Sequence, residues 1–222
     1  MLKEWTNSIL EYLAKTKDVL SKNVNGQPFP LWTRWLSAIL LFIVSAIIVF
    51  CIPSGFGGTD FIDYIKDILA IFVGFFVTVL TFVFDKLDIT PLPTQDEIDQ
   101  MPADKRPTAQ QKLKIKREHN YTIRFFYTIG LTIIISTIEL ALLIPNIFWA
   151  NWFDVDIRQY QFVKSFDELS NTSVCLFFHL ISCAIYRFII VAFTISVFFY
   201  VSYCVSSLLQ VLISKKKMET WN

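Results

Sequence analysis

Long apolar runs with almost no charged residues recur along this chain, and blocks of charged residues separate them. Residues 36–52, 68–84 and 125–144 form three such runs, and a fourth apolar stretch extends from 173 to 213. A helix needs roughly 20 apolar residues to cross a hydrocarbon core of ~30 Å. Because 54% of the chain is hydrophobic and 18% is charged, against roughly 25% charged in ordinary globular domains, the pattern predicts an integral membrane protein.

The fourth stretch is too long for one straight span. We expect an interfacial or re-entrant start over 174–183, followed by a tilted span over about 184–212. Two separate spans would put Lys215, Lys216 and Lys217 on the side opposite to most other basic residues. The predicted fold class is therefore all-α: a polytopic membrane protein with four transmembrane helices.

The third apolar run continues a charged segment without a break. Thr108 and Gln111 fit a capping box, in which each side chain accepts a hydrogen bond from an unpaired backbone N–H at a helix start. Pro145 is a natural helix stop. One helix over 108–145 would be roughly 57 Å long, nearly twice the hydrocarbon core. About half of it should therefore stand in water, as a cytoplasmic extension of the third span.

Residues 2–22 are predicted to form an N-terminal amphipathic helix. Their bulky residues share a three-four spacing that makes one stripe: Leu2, Trp5, Ile9, Tyr12, Thr16 and Val19. Such a helix either lies in the membrane interface or packs on the protein, or it associates with a second copy of itself. Trp5, Trp32 and Trp35 are predicted lipid or interface anchors.

Basic residues indicate the orientation. Sixteen of the 20 Lys and Arg residues fall in the N-terminal segment, in loop 87–124 with its flanks, and in the tail; Lys66, Arg158 and Lys164 fall elsewhere, and Arg187 lies within a span. The positive-inside rule then makes both termini cytoplasmic. We expect an N-terminal helix (1–30), a membrane domain (31–213) with cytoplasmic loop 87–124 and outer loop 146–171, and a cytoplasmic tail (214–222).

Loop 87–124 is the largest polar connection, so a cytosolic partner would most readily bind there. The candidate docking residues are the charged ones in and before the extension: Asp96, Glu97, Asp99, Lys105, Arg106, Lys112, Lys116 and Arg117. A basic run of this kind also suits anionic lipid headgroups. It lacks the interleaved aromatic residues of single-strand nucleic-acid sites, and we expect no direct nucleic-acid contact.

Two charged residues fall inside the apolar runs. Glu139 is the acid of the third run and Arg187 is the base of the fourth. An isolated charge in mid-membrane costs at least ~2.5 kcal/mol. We therefore expect an intramembrane charge pair that joins the two spans, with a charge lining a pore or a proton path, or a snorkelling Arg187, as alternatives.

Other chemistry is sparse. No P-loop, HExxH or GxSxG motif occurs, so we expect neither an enzyme nor a cofactor. Cys51, Cys175 and Cys183 fall near the outer face, where two of them pair if the compartment is oxidising, although buried apolar thiols are the simpler interpretation. His119 and His179 are too far apart in sequence to predict a shared metal site.

Polar and small residues inside the spans leave a channel or pore-forming effector open as the alternative function. The hydroxyls that could line a wet path are those of Thr78, Thr81, Thr132, Ser136 and Thr137. Back-bonding of each hydroxyl to its own helix is the commoner fate of such residues. Gly74 and Gly130 would allow helices to approach closely.

The general plan resembles the membrane subunit of the Kiwa anti-phage defence system. The likeness covers the four-span layout with an amphipathic N-terminal helix, and no residue role is carried over. Stretches such as Phe72-Val-Gly-Phe-Phe76 and Lys112-Leu-Lys-Ile-Lys116 are similar to the products of AT-rich bacterial defence islands in general. The resemblance implies a homo-oligomer, with a tetramer favoured, in a bacterial inner membrane. It also implies that the protein senses envelope disturbance at infection and holds a cytosolic partner encoded nearby. The expected function is thus a membrane scaffold and sensor.

Overall fold

The structure is a computed structural model that describes residues 2–51, 59–86, 92, 98, 100, 102, 106–155 and 171–219. Its helices are α1 (Leu2–Leu20), α2 (Leu31–Cys51), α3 (Thr59–Lys86), α4 (Ala109–Phe148), α5 (Ala150–Phe153) and α6 (Asn171–Glu219). Within the described ranges, the β-structure is one isolated bridge between Lys22 and Pro28. The predicted all-α fold is confirmed.

Four of these helices are long and apolar enough to cross a membrane: α2, α3 over Phe61–Thr81, α4, and α6 over Phe177–Gln210. The most apolar part of each is 11 to 33% buried inside the protein. Exposed apolar surface of this extent suits a hydrocarbon solvent, where burial from water is not needed. The chain is a multi-pass membrane protein.

Two predicted helix boundaries change. Pro145 lies inside α4 and does not end it. A proline lacks the N–H donor of other residues but keeps its carbonyl acceptor. The helix continues past Pro145 because Trp149 N–H donates to the Pro145 carbonyl at 3.0 Å. The predicted re-entrant segment over 174–183 is not observed, since it belongs to α6, a continuous helix of 49 residues. No Gly or Pro occurs between Asn171 and Glu219 to break that helix.

The chain divides into two compact units. Unit 1 comprises Met1–Pro30, Phe76–Thr132 and Tyr200–Asn222, and unit 2 comprises Leu31–Phe75 and Ile133–Phe199. The core of unit 1 includes Thr16, Phe125 and Ile129, so the predicted stripe of α1 faces protein at Thr16. The core of unit 2 is formed by apolar residues of α2, α3, α4 and α6: Val49, Ile62, Ile65, Leu69, Leu143, Ile190, Val191 and Val197.

The connector between α1 and α2 forms a tight turn in unit 1. Asn23 N–H donates to Gln27 O at 2.6 Å, and Phe29 N–H donates to Ser21 O at 2.9 Å. Gly26 lies in the left-handed region, at φ +84°, which favours glycine at this position. The turn holds the carbonyls of Lys22 and Val24 in fixed positions.

Candidate functional site

The charged start of α4 is capped by side chains. Thr108 N–H donates to Gln111 Oε1 at 2.8 Å, and Gln111 N–H donates to Thr108 Oγ1 at 3.4 Å. This reciprocal pair is the predicted capping box, which is confirmed. Two of the unpaired donors at the helix start are therefore satisfied without help from another element.

The described docking candidates lie on or just before this capped helix. Arg106, Lys116 and Arg117 are exposed and Lys112 is half-buried, while Asp96, Glu97, Asp99 and Lys105 lie outside the described residues. The same turns carry two exposed apolar residues, Leu113 and Ile115. The start of α4 thus presents a surface that is both basic and apolar, which we call the basic face (Arg106 and Lys112–Arg117).

Arg124 fastens α4 to two other segments of unit 1. Its guanidinium is buried, donates from Nη1 to Tyr203 Oη of α6 at 3.0 Å, and donates from Nη2 to Lys22 O of the connector. One turn earlier on α4, Asn120 Nδ2 donates to Val24 O at 2.7 Å. A planar guanidinium has five donors in a fixed fork, so it can join two acceptors that a lysine could not reach together.

Tyr12 docks α1 against α4 in the same unit. Its hydroxyl faces the carbonyls of Phe126 and Tyr127, at 3.3 and 3.0 Å, and its ring centroid lies 5.3 Å from that of Tyr127. Burial raises the pKa of Tyr12 to about 12. The central turns of α1 therefore pack on the protein, which is one of the alternatives that the sequence leaves open for the N-terminal helix.

Gly130 makes this close approach possible. A Cβ built on Gly130 would lie 2.7 Å from Cζ of Tyr12, closer than side chains tolerate, whereas a Cβ built on Gly74 meets nothing within 4 Å. The expected role of Gly130 in close packing is confirmed, but its neighbour is the aromatic side chain of α1. The hydrogen bonds of the Tyr12 hydroxyl and the absence of a side chain at Gly130 together fix α1 on α4.

Glu139 has another partner in place of the expected arginine. Its carboxyl group is fully buried in unit 2, and Oε1 contacts the hydroxyl of Thr194 on α6. Oε2 has no hydrogen-bond partner among the described residues. No ion pair joins Glu139 to Arg187 in the part of the chain that the structure describes, so the predicted charge pair is not formed there.

Arg187 is also fully buried, and it donates to the carbonyl of the last residue of α5 and to that of Val155, two residues beyond it. Its Nη2 lies 2.7 Å from Phe153 O and 2.6 Å from Val155 O. A cation at the C-terminal end of a helix is favourable, because carbonyls without intrahelical partners lie there. On α6, Thr194 is seven residues beyond Arg187, or about 10 Å along the axis, which is why Glu139 opposite Thr194 does not reach the guanidinium.

Further contacts in unit 2 hold α5 against the start of α6. The ring of Trp152 lies 4.0 Å from the ring of His179, whose Nε2 is 2.8 Å from Trp152 O. Cys183 Sγ–H donates to the same carbonyl at 3.3 Å, and all four cysteines are free thiols, of which Cys51 and Cys175 are exposed. The described residues hold no group of three or more His, Cys, Asp or Glu side chains placed for a metal ion.

Most hydroxyls that would line a pore are satisfied by their own helices. Thr81 donates to Val77 O at 2.9 Å, and Thr132 and Thr137 donate to the carbonyls four residues earlier at 2.8 Å. Ser136 Oγ is buried and has no partner among the described residues. Threonine back-bonding of this kind leaves few hydroxyls to face a water-filled path.

Trp32 and Trp35, the predicted interface anchors of the first span, are both exposed on α2. The side chain of Trp5 lies outside the described ones. Sequence patterns do not single out Arg124, Asn120 or Thr194. The one signal for Arg124 is its position, directly before the apolar run that begins at Phe125.

No protein-family model, curated protein or solved structure matches this chain. The contacts described above therefore carry the functional argument.

Proposed function

We propose that the protein is a non-enzymatic membrane scaffold that holds a soluble protein partner on its cytoplasmic side and assembles with further copies of itself. Its role would be in anti-phage defence, where it senses disturbance of the envelope. The fold supports a scaffold because it consists of helices that either span the membrane or pack on those that do. The bacterial inner membrane is the location that the resemblance implies.

The observation that carries this proposal is the basic face at the start of α4. A helix that only anchored the protein would need no capped, charged extension, and here the extension has both a cap and a fixed base. Arg124 and Asn120 hold that base to the connector, so the exposed turns are positioned without a bound partner. Positioning before binding lowers the entropy cost of association.

The chemistry of the basic face favours an acidic protein partner with a small apolar patch. Arg106, Lys116 and Arg117 supply positive charge, and Leu113 is 59% exposed between them. Interface cores gain most of their energy from a few buried apolar or arginine side chains. The positive-inside rule predicts that these lysines and arginines lie in the cytoplasm.

The test is a charge reversal that leaves the fold intact. The double substitution Lys116→Glu and Arg117→Glu changes two exposed residues, and Lys3→Glu with Lys17→Glu makes the same change in charge on exposed positions of α1. We expect cross-linked partner recovered from native membranes to fall about tenfold for the α4 variant, which corresponds to ~1.4 kcal/mol. Equal recovery from both variants would contradict the proposal.

Self-assembly and the defence role need separate measurements. Native mass determination in lipid nanodiscs should give a multiple of the chain mass, and a chain that stays monomeric at all concentrations argues against the assembly. Plaque counts on cells that carry the gene should fall, and the α4 charge reversal should restore them. If the α1 control variant restores the plaque counts as well, the defence role does not depend on the basic face.

A channel is the second candidate function, and the pattern of hydroxyl bonds disfavours it. Thr81, Thr132 and Thr137 are bonded to their own helices. We therefore expect no ion flux in proteoliposomes that contain the purified protein. Flux that is lost when Ser136 is replaced by Ala would favour the channel over the scaffold.

A further inference from the structure

If the carboxyl of Glu139 is ionised, the hydroxyl of Thr194 faces two hydrogen-bond acceptors with one hydrogen to donate. The hydroxyl of Thr194 lies against Glu139 Oε1 and also 2.9 Å from Ile190 O, the carbonyl four residues earlier on α6. A threonine hydroxyl has a single hydrogen to donate. Either this hydrogen is shared between the two acceptors, or one of the two contacts receives its hydrogen from elsewhere.

Glu139 itself is the group that can supply this hydrogen. If Thr194 donates to Ile190 O, as threonines within helices commonly do, then the contact with Glu139 requires a hydrogen on Oε1. Glu139 is then a neutral carboxylic acid, which donates to Thr194 Oγ1. Its remaining oxygen, Oε2, is a carbonyl oxygen.

The unpartnered Oε2 agrees with this assignment. Oε2 is buried and has no hydrogen-bond partner among the described residues. A neutral carbonyl oxygen without a partner is tolerated far better in a buried site than half of a carboxylate, whose charge must be paired or solvated. Glu139 therefore has the environment of an acid that keeps its proton.

The surroundings offer little that would stabilise the ionised form. A cavity of about 120 Å³ borders Thr194, and apolar side chains such as Leu69, Phe72 and Val197 line it. Cavities with apolar walls stay dry. The apolar runs of α2 and α3, residues 36–50 and 68–84, contain no ionisable side chain.

Ionisable groups on neighbouring elements also have other partners. On α6, Tyr186 Oη donates to Leu142 O at 2.9 Å and Arg187 donates to the end of α5. Cys183 donates to Trp152 O, and Tyr64 of α3 borders the apolar cavity. The positive charge of Arg187 favours an ionised Glu139, but the guanidinium is directed to the carbonyls of Phe153 and Val155.

We propose that Glu139 and Thr194 form a proton-binding site between α4 and α6, in which Glu139 carries one proton and donates it in a hydrogen bond to Thr194. A metal cation would need more oxygen ligands than this pair supplies. Loss of the proton would leave a buried carboxylate, so the two helices would have to admit water or separate at this level. The proposal does not depend on the docking role of the basic face.

Labelling with dicyclohexylcarbodiimide, an apolar carbodiimide, tests the site in protein reconstituted in lipid. The acid gives its proton to a nitrogen of the reagent, and the carboxylate oxygen bonds to the central carbon. The O-acylisourea that forms then rearranges to a stable N-acylurea. We expect peptide mass spectrometry to find one added reagent on Glu139 at neutral pH and none on the exposed carboxyl of Glu11.

Three outcomes would overturn the proposal. The first is an unlabelled Glu139 at neutral pH. The second is slower labelling when Na⁺ replaces choline at constant pH, which would make the pair a cation site. The third is an infrared spectrum of the unmodified protein without a protonated-carboxyl C=O band.

Variants assign the infrared band to this pair. Glu139→Gln should remove the band yet fold normally, because its amide N–H can donate to Thr194 as the acid does. Thr194→Val should move the band to higher frequency, since the donated hydrogen bond is lost. A band that neither substitution changes comes from another carboxyl and contradicts the assignment.

Discussion

At the scale of single residues, Arg124 is the clearest case of a buried charge with a structural task. It joins Tyr203 of α6 and the carbonyl of Lys22 to α4. Arg124→Lys keeps the charge, and with it the topology signal, but an ammonium cannot reach both acceptors in the geometry of the fork. We expect the free energy of unfolding in detergent to fall by about 1.5–3 kcal/mol, as for hydrogen bonds to charged groups.

The matched control for this prediction is Arg117→Lys. Arg117 is exposed on the same helix, and exchanges at exposed positions usually change stability by less than ~0.5 kcal/mol. Thermal unfolding followed by circular dichroism measures both variants. Equal loss in the two variants, or no loss in either, would mean that the guanidinium fork does not hold the segments together.

Gly130 gives a second prediction at this scale. Gly130→Ala would place a Cβ against the Tyr12 ring, and overpacking of this kind costs about 1–3 kcal/mol. α1 should therefore leave α4 and become sensitive to protease. Gly74→Ala is the control, because nothing lies within 4 Å of its Cβ. Adding Tyr12→Ala should remove most of the penalty of Gly130→Ala, and additive penalties would contradict the contact.

At the scale of elements, the docking of α1 should depend on pH through Tyr12. The neutral phenol donates to carbonyls of α4, and a tyrosinate would repel them. Because burial raises the pKa of Tyr12 from 10.0 to about 12, this stabilisation is complete below pH 10 and is lost as the pH rises through 12. α1 should detach over that interval.

A spin label at Asn7→Cys, with Cys51 and Cys175 replaced by Ala, measures the mobility of α1. Mobility should rise between pH 10 and 12, and Tyr12→Phe should abolish the rise while it keeps the ring contact with Tyr127. Tyr64→Phe, a change on α3, should leave the rise unchanged. A rise that persists in Tyr12→Phe assigns the transition to another group.

Helix identity was predictable from the sequence because it depends on local patterns. Apolar runs, the Thr108 capping box and the three-four stripe of α1 each act within one element. What remained inaccessible was the register between elements. The sequence predicts that Glu139 lies level with Arg187 of α6, whereas Glu139 lies level with Thr194, two helical turns further along α6. No pattern along one helix determines such an offset.

The same reason explains why the anchor at Arg124 has no sequence signature. Its acceptors are a backbone carbonyl in the connector and a tyrosine hydroxyl 79 residues away. A carbonyl belongs to every residue, so the sequence cannot indicate which one is presented. The turn around Gly26 determines that, and its geometry becomes known only when the elements are assembled.

At the scale of the whole molecule, the orientation in the membrane decides which proposals can hold. Basic residues predict that the start of α4 faces the cytoplasm and that the segment after α5 faces outward. Single cysteines at Lys116 and Asp154, both exposed positions, report the two sides. Cys51 and Cys175 are replaced by Ala, whereas Cys183 and Cys204 are buried and remain.

A membrane-impermeant maleimide applied to intact spheroplasts should label Asp154→Cys and spare Lys116→Cys until the membrane is opened. Labelling of Lys116→Cys from outside would invert the protein and place the basic face beyond the reach of any cytosolic partner. The proton site would survive that result, because the contact of Glu139 with Thr194 lies within the spans and does not depend on which side is cytoplasmic. The orientation experiment therefore tests the scaffold proposal separately from the intramembrane chemistry.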